Sequence, residues 1–227
     1  MNKCSLRDYE EDVYRCIRCG FCRAVCPVLQ EEDMNETVGP RSFVLTARGL
    51  ITNELRPSGK MGELIYECVE CGACNVKCPP GVKIEEIIGA VRDTLVRSHS
   101  KPPRNIKSLI DSVQRRGRLY DGQPDDETTH GLLDKPAKEK ADVLYYVGCA
   151  ASQLERDQAR SMIRILEKAG TDFTILRNEE CCGLPLSTLG FRELFVERAE
   201  KNAQMFEQVE ASTVVTTCPG CYKTFSR

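Results

Sequence analysis

The chain has 227 residues, 14 of which are cysteine, and a formal net charge of −2. This length accommodates two modest domains, and the balanced charge excludes a general affinity for nucleic acid or anionic membranes. The N-terminal sequence MNKCSLRDYEEDVYR has no apolar stretch, and no segment approaches the roughly 18 apolar residues of a membrane span. We therefore expect a cytoplasmic protein, at most peripheral to a membrane through a partner, whose reduced thiols serve metal binding or redox chemistry.

The cysteines divide the chain into two regions of different pattern. Nine lie in residues 1–100 and five in residues 141–227. The polar stretch 101–140 between them carries prolines at positions 102, 103, 124 and 136 and is predicted to be a linker. One short helix is predicted within it from apolar residues at helical spacing, which are Ile106, Leu109, Ile110 and Val113.

Residues 1–100 have the apolar periodicity of helices. Tyr9, Val13 and Ile17 predict a first helix that leads into the first group of cysteines. A second helix is predicted to begin at Pro40, because proline is favoured at the first helical position. The apolar faces of the second and third helices comprise Phe43, Val44, Ala47, Leu50, Ile51 and Leu55, and then Ile84, Ile87, Ile88, Val91 and Leu95. We expect an all-α domain.

Two copies of one cysteine motif lie in this domain. CIRCGFCRAVCP (16–27) and CVECGACNVKCP (68–79) both have the C-x2-C-x2-C-x3-C-P spacing of bacterial-type ferredoxins, whose fourth cysteine ligates the other of two [4Fe–4S] cubanes. Zinc competes for a single CxxC, but eight cysteines in a doubled pattern favour iron–sulfur clusters. Gly20 and Gly72 are expected to bring backbone amides close to sulfur. The predicted ligands are Cys16, Cys19, Cys22 and Cys78 for one cluster, and Cys68, Cys71, Cys74 and Cys26 for the other.

The spacing between the motifs is longer than in a compact ferredoxin. Between Cys26 and Cys68 lie 41 residues with a predicted helix, and the chain also contains GPRS (39–42) and GVKIEEII (81–88). In these features the region resembles the helical ferredoxin domain of the iron–sulfur subunits of succinate dehydrogenase and its relatives. Cys4, which precedes the first motif without a partner, is expected to be a free thiol.

Residues 141–227 change to an alternation of strands and helices. DVLYYVG (142–148), FTIL (173–176) and TVVTT (213–217) predict three short strands. Helical patterns between them comprise Ala159, Met162, Ile163 and Leu166, and then Phe191, Leu194, Phe195, Ala199 and Phe206. This alternation predicts an α/β domain with a parallel sheet. The expected fold is therefore multi-domain, with an all-α helical ferredoxin domain followed by an α/β domain.

Each predicted strand is followed by cysteine: Cys149 after the first, Cys181 and Cys182 after the second, Cys218 and Cys221 after the third. Ligands gather at the carboxyl ends of strands in open α/β sheets. Three interpretations compete: a vicinal disulfide at the adjacent pair, a thioredoxin-like redox pair in CPGC, or convergence of all five on one iron–sulfur cofactor. We favour convergence, because it alone uses every cysteine.

This five-cysteine pattern, with its central Cys-Cys-Gly, resembles the cysteine-rich CCG domain of heterodisulfide reductase. The same domain occurs in the iron–sulfur subunits of glycolate oxidase and of anaerobic glycerol-3-phosphate dehydrogenase. Two ferredoxin motifs followed by this domain is the arrangement of the D-type subunits of heterodisulfide reductase. The resemblance implies a further, non-cubane [4Fe–4S] cluster, at which a disulfide is cleaved, with the ligands Cys149, Cys181, Cys182, Cys218 and Cys221.

The chain departs from that family in one respect. The family usually has two copies of the CCG domain, whereas this chain stops six residues after Cys221. A helix is expected to begin only after CPGCYKTF, so the first copy is expected to be incomplete. On this interpretation the sequence is a fragment, or a second copy lies on another chain.

The resemblance implies an iron–sulfur electron-transfer subunit of an anaerobic or respiratory oxidoreductase. Electrons would pass through the two cubanes to or from the CCG-domain centre for heterodisulfide reduction. The alternatives are a relay subunit of a flavin-dependent glycolate, lactate or glycerol-3-phosphate dehydrogenase, or a non-catalytic iron–sulfur binding or redox-sensing module. The chain has no Gly-rich dinucleotide fingerprint, so the expected partners are a flavoprotein or a b-type cytochrome membrane subunit. His99 and His130 lie beside no nucleophile pattern, which leaves hydrolysis without support.

Overall fold

A computed structural model describes residues 5–98, 100, 102–120, 132 and 138–226. Cys4, His99 and His130 lie outside these residues. The chain separates into two compact units, the first formed by Met1–Lys107 with Ser187–Arg192 and the second by Ser108–Leu186 with Glu193–Arg227. The division of the sequence into residues 1–100, 101–140 and 141–227 remains a prediction.

The described secondary structure of the first unit is entirely helical, as the sequence predicted. Three short 3-10 helices, at Leu6–Tyr9, Phe21–Val25 and Glu36–Val38, accompany its α-helices. The α-helices up to residue 97 are α1 (Glu10–Arg15), α2 (Pro27–Glu31), α3 (Pro40–Ile51), α4 (Gly59–Ile65), α5 (Ala73–Lys77) and α6 (Ile84–Arg97).

Helices α3 and α6 pack against each other at the centre of the first unit. Helix α3 begins with Pro40 at its first position, and its apolar face lies inside, as does that of α6. The residues buried on these two faces include Phe43, Val44, Ala47, Ile51, Ile84, Ile87, Ile88, Val91 and Leu95. Burying each large aliphatic or aromatic side chain contributes roughly 1.5–3 kcal/mol, so this pair of helices supplies much of the stability of the unit.

The sequence analysis extended the apolar faces of the first and second predicted helices too far, to Ile17 and to Leu55. Helix α1 ends at Arg15 and Cys16 is extended, so Ile17 lies in the cysteine loop and is 67% exposed. Leu55 lies beyond the end of α3, where its amide donates to the Gly49 carbonyl at 2.9 Å. A β-carbon on Gly49 would lie 2.7 Å from the Leu55 side chain, so the missing side chain makes room for this contact.

The rest of the described chain combines helices with a three-stranded parallel sheet in the order β2-β1-β3, which confirms the predicted α/β class. Val143 pairs with Phe173 on one side and with Thr213 on the other. The elements are α7 (Arg104–Arg116), β1 (Val143–Tyr145), α8 (Cys149–Gln153), α9 (Arg156–Lys168), β2 (Phe173–Thr174), α10 (Leu184–Thr188), α11 (Arg192–Val209), β3 (Thr213–Val215) and α12 (Pro219–Phe225).

The last two residues of the central strand β1 and the two residues after it are fully buried. Leu144, Tyr145, Tyr146 and Val147 have no exposed surface, which explains the unbroken apolar run in the sequence, since a central parallel strand is covered on both faces. The Tyr146 ring makes edge contacts with two phenylalanines at centroid distances of 5.8 and 4.7 Å. These contacts join the end of β1 to α11 and α12.

Helix α12 begins earlier than the sequence predicted. We expected a helix only after CPGCYKTF, but the helix starts inside this segment at Pro219 and ends at Phe225. Cys218 is extended and caps the helix, and proline at the first helical position needs no amide partner.

Candidate metal centres

Three thiols of the first motif and one of the second line a single pocket of the first unit, called site one. Its cysteines are Cys16, Cys19, Cys22 and Cys78, around about 320 Å³ of empty space that is partly open to solvent. Burial, with Cys16, Cys78 and Cys19 as neighbours, raises the pKa of Cys22 to about 11. The grouping is the one that the ferredoxin spacing predicted.

The complementary set lines a second pocket, called site two. Its cysteines are Cys68, Cys71, Cys74 and Cys26, around about 410 Å³ of empty space that is partly open to solvent. Burial, with Cys68 and Cys71 nearby, raises the pKa of Cys74 to about 12, and burial also raises the pKa of Cys68. Crowded thiolates repel one another unless a cation lies between them, and a coordinating metal deprotonates thiols outright. Both pockets therefore have the chemistry of a metal cluster site.

The two cysteine loops share an unusual backbone. Arg18 and Gly20 in the first loop have φ of +59° and +82°, and Glu70 and Gly72 in the second have +51° and +74°. Left-handed residues are costly outside glycine, so their repetition at matching positions indicates a shared constraint. Such turns direct successive N–H groups into concavities that bind anions and iron–sulfur clusters.

Backbone amides also reach the cysteine sulfurs directly. The Glu70 N–H donates to Cys68 Sγ at 3.4 Å, and the Val82 N–H donates to Cys78 Sγ at 3.3 Å. Hydrogen bonds of this kind stabilise thiolates and tune the potential of a bound cluster. None of the thirteen described cysteines forms a disulfide. Among the described residues, no three His, Cys, Asp or Glu side chains are arranged around a single metal ion.

Arg92 on α6 is a residue of site two that the sequence did not reveal. It is 2% exposed, and its guanidinium donates to the carbonyls of Cys68 at 2.7 Å and Ile65 at 2.9 Å. It also pairs with the Glu70 carboxylate and lies 5.0 Å from the Tyr66 ring centroid. This one side chain holds the second cysteine loop against the helices beneath it. An arginine among the other charged residues of this amphipathic helix gives no sequence signal for such a role.

The five remaining cysteines form a continuous chain of contacts in the second unit, called site three. Their side chains hydrogen-bond in the order Cys149, Cys181, Cys182, Cys221, Cys218. The structure therefore brings together all five cysteines for which the sequence predicted convergence, across a separation of 72 residues.

These contacts divide the five thiols into two kinds. Hydrogen bonds from Cys181 and Cys221 lower the pKa of Cys182 to about 3, and one from Cys221 lowers the pKa of Cys218 to about 6. A hydrogen bond from Cys181 likewise lowers the pKa of Cys149. Contact with the same neighbours raises the pKa of Cys181 and of Cys221. Thiolate is the metal-binding form of cysteine.

The sheet positions Cys149 and Cys218 directly, and a glutamate joins the loop that carries Cys181 to the sheet. Cys149 begins α8 just after β1, and Cys218 caps α12 just after β3. Cys181 lies farther from its strand, because β2 ends at Thr174. The Glu179 carboxylate accepts the N–H groups of Val147 at 2.8 Å and Gly148 at 2.6 Å, which binds the Cys181 loop to the end of β1.

Glu179 was missed by sequence reasoning, because a glutamate two residues before the cysteine pair gives no signal of long-range contacts. Burial raises its pKa to about 8, while the two backbone N–H groups and nearby thiols act as smaller influences.

Gly183 permits the turn that follows the adjacent cysteines. Its φ is +90°, and a β-carbon there would lie 3.1 Å from side-chain atoms of both Phe195 and Arg198. The chain then enters α10 at Leu184. The pair itself is fixed by backbone contacts, since the Cys181 carbonyl accepts from Asn202 at 3.2 Å.

Comparison with known proteins finds two domain families in the chain. Residues 12–82 match the 4Fe-4S dicluster domain family, and residues 143–226 match the cysteine-rich domain family named CCG. None of the described helices is both long enough and apolar enough to cross a membrane.

Several curated proteins are similar to almost the whole chain. The D-type subunit of dihydromethanophenazine:CoB–CoM heterodisulfide reductase of Methanosarcina barkeri is 27% identical over 92% of this chain and 55% of that protein. The probable glycolate oxidase iron-sulfur subunit of Bacillus subtilis is 23% identical over 93% of this chain and 58% of that protein. The B-type subunit of the CoM/CoB fumarate reductase of Methanothermobacter marburgensis is 25% identical over 93% and 42%. The chain spans about half the length of the curated relatives it matches.

The resemblance predicted from the sequence is thereby confirmed. The chain is an iron–sulfur protein in which a 4Fe-4S dicluster domain precedes a cysteine-rich CCG domain, and its homologues include the D-type subunit of heterodisulfide reductase and the iron-sulfur subunit of glycolate oxidase.

Proposed function

We propose that this chain transfers electrons within an oxidoreductase, with [4Fe–4S] cubanes at sites one and two and a non-cubane [4Fe–4S] cluster at site three. The observation that carries the proposal is the sorting of thirteen cysteines into two pockets of four and one contact chain of five. Clusters bound at these sites would supply one-electron transfer at potentials set by charge, burial and hydrogen bonds to sulfur.

The residues of the chain hold and shield such clusters. Arg92 fixes the loop of site two, and Glu179 fixes the loop of site three. Apolar side chains such as Val44 and Ile84 line site one and limit the access of water. Limited water access lowers the local dielectric, so that nearby charges act strongly on the potential.

We propose reduction of a disulfide as the reaction served by site three. Cleavage of RS–SR′ takes up two electrons and two protons, breaks the sulfur–sulfur bond and releases RSH and R′SH. The five cysteines of site three lie in contact with one another, so their sulfur atoms would flank both sulfurs of a substrate disulfide. The similarity to the D-type subunit of heterodisulfide reductase over 92% of the chain supports this choice. The electrons come from a partner, for which a b-type cytochrome subunit of the membrane is the proposal, with the chain itself in the cytoplasm.

A relay role beside a flavoprotein is the second candidate, and the similarity to two glycolate oxidase iron-sulfur subunits favours it. In this role the flavoprotein oxidises glycolate, lactate or glycerol 3-phosphate, and this chain carries the electrons onward. Site three then passes electrons without breaking a substrate bond.

Iron and acid-labile sulfide analysis with EPR, on anaerobically purified protein, tests the proposal. Three clusters correspond to about twelve irons per chain and two cubanes alone to about eight. Replacement of Cys182→Ser should remove the third signal and about four irons while leaving the others, and Cys4→Ser is the matched control that should change nothing. Loss of the cubane signals in Cys182→Ser would contradict the assignment of ligands.

The two candidate roles differ in what oxidises the reduced protein. In the first, the heterodisulfide of coenzyme M and coenzyme B reoxidises the protein and two free thiols appear for each disulfide consumed. In the second, the heterodisulfide leaves it reduced. If the clusters are present but exchange no electrons with any donor or acceptor, a non-catalytic binding or sensing module is the correct description.

A further inference from the structure

The two cubane sites are built on repeated loops but carry opposite charges at matching positions. Arg18 in the first loop corresponds to Glu70 in the second, each two residues after the first cysteine of its motif. Arg18 lines the pocket of site one, and Glu70 lines the pocket of site two.

A second pair of opposite charges lies at the glycine of each loop. A β-carbon on Gly20 would be 3.6 Å from an Nη of Arg41, at the start of α3. A β-carbon on Gly72 would be 3.1 Å from Oε2 of Glu85, at the start of α6. Arg41 and Glu85 also line the pockets of sites one and two. The two loops therefore face a cation in one case and an anion in the other.

Ion pairs accompany the charged residues of both sites. At site one, Glu36 pairs with Arg41 at 3.0 Å and also with Arg23, so that three arginines including Arg18 stand against one glutamate.

At site two, Glu70 pairs with the buried Arg92, and Glu85 adds a second carboxylate to the pocket lining. The residues next to the cysteines have the same bias, since Lys77 precedes Cys78 of site one and Glu67 precedes Cys68 of site two.

Reduction adds one negative charge to a cluster, so nearby cations favour the reduced form and nearby anions oppose it. Coulomb interactions of partly buried groups are screened less than those of exposed groups. Glu70 and Arg41 have side chains that are 11% and 31% exposed, so their charges act through a medium of reduced dielectric.

We propose that these charges give site one a higher reduction potential than site two, so that electrons move from site two to site one. This inference rests on the proposed function, because it requires a [4Fe–4S] cluster at each site. The step transfers one electron: site two is oxidised, site one is reduced, and no bond or proton changes. Arg18 and Arg41 act as tuning residues at site one, as Glu70 and Glu85 do at site two.

A redox titration of the chain, monitored by EPR, tests the order of the potentials. Cys19→Ser and Cys71→Ser, at matching positions of the two loops, first assign each signal to its site. In the otherwise unaltered chain the site-one signal should develop at the higher potential. Development of the site-two signal first would overturn the inference.

Charge-neutral variants then test the cause. Arg41→Gln should lower the potential of site one, and Glu85→Gln should raise that of site two. Each variant should change the equilibrium constant for electron transfer between the two sites about tenfold, which corresponds to ~59 mV for a one-electron couple. The exposed Arg18→Gln should act in the same direction as Arg41→Gln with a smaller shift, and it retains the Glu36 ion pair if Arg41→Gln fails to fold.

Glu63→Gln on α4 and Arg160→Gln on α9 are controls that remove an exposed charge elsewhere. If Arg41→Gln and Glu85→Gln shifted the potentials by no more than these controls, or in the opposite direction, the proposed cause would be overturned. Iron analysis separates this inference from the proposed function. Absence of either cubane contradicts both, whereas two intact cubanes with the reverse order of potentials contradict only the inference.

Discussion

The two units gather their cysteines by different means. In the first unit each loop supplies three thiols within seven residues, as Cys16 to Cys22 and Cys68 to Cys74. In the second unit a parallel sheet brings together segments that begin at Cys149 and end at Cys221. Local loops need few long-range contacts, whereas parallel pairing depends on segments far apart in the sequence. Site three should therefore respond to substitutions that leave sites one and two intact, and the reverse should also hold.

Among the substitutions that test this separation, Arg92→Met in the first unit should have the largest effect. The substitution leaves Glu70 and the Cys68 and Ile65 carbonyls without their cationic partner. Removal of one member of a buried ion pair costs about 3–5 kcal/mol. We expect a loss of this size in urea unfolding and a smaller site-two signal.

Arg164→Met on the exposed face of α9 is the matched control and should change stability little. If Arg92→Met weakened the site-three signal more than the site-two signal, the two units would not be separate in their cysteine chemistry.

Glu179→Ala tests the second unit and should have an effect of intermediate size. It removes the acceptor of the buried Val147 and Gly148 amides, and each unsatisfied buried group costs about 1–3 kcal/mol. We expect the iron bound at site three to fall while the cubane signals remain, and Glu179→Gln to have a milder effect because it keeps one acceptor. Glu200→Ala, on the exposed side of α11, should leave all signals unchanged. Equal loss of iron from all three sites would contradict the proposed role of Glu179.

Gly183→Ala is the smallest of the three perturbations. Its φ of +90° disfavours a side chain, and the new methyl group would lie 3.1 Å from Phe195 and Arg198. The left-handed region costs an L-residue about 1–2 kcal/mol, so a decrease of that size is expected in the free energy of unfolding, with a broadened site-three signal. Gly59→Ala, where no atom lies within 4 Å of the added carbon, should have no such cost. Unchanged stability in Gly183→Ala would show that the turn adapts.

Short-range sequence patterns predicted most of the helices and strands. The predictions were wrong where a helix ends or begins at a turn of the chain. Periodicity predicted α3 and α6, because their buried faces repeat every three to four residues. It extended α1 to Ile17 wrongly, since the spacing of apolar residues does not register that Cys16 leaves the helix. It also placed a helix after CPGCYKTF, although Pro219 already begins one.

The sequence by itself determined the grouping of cysteines into motifs, the all-α and α/β character of the two regions, and the crossed sets of four cysteines that line the two pockets. These follow from spacing and periodicity, which act over a few residues. Only the tertiary structure decided that Arg41 faces one loop and Glu85 the other, that Arg92 holds site two, and that Glu179 joins the Cys181 loop to β1. Such contacts join residues distant in sequence, and their energies depend on burial and direction, which exist only once the helices and the sheet have packed.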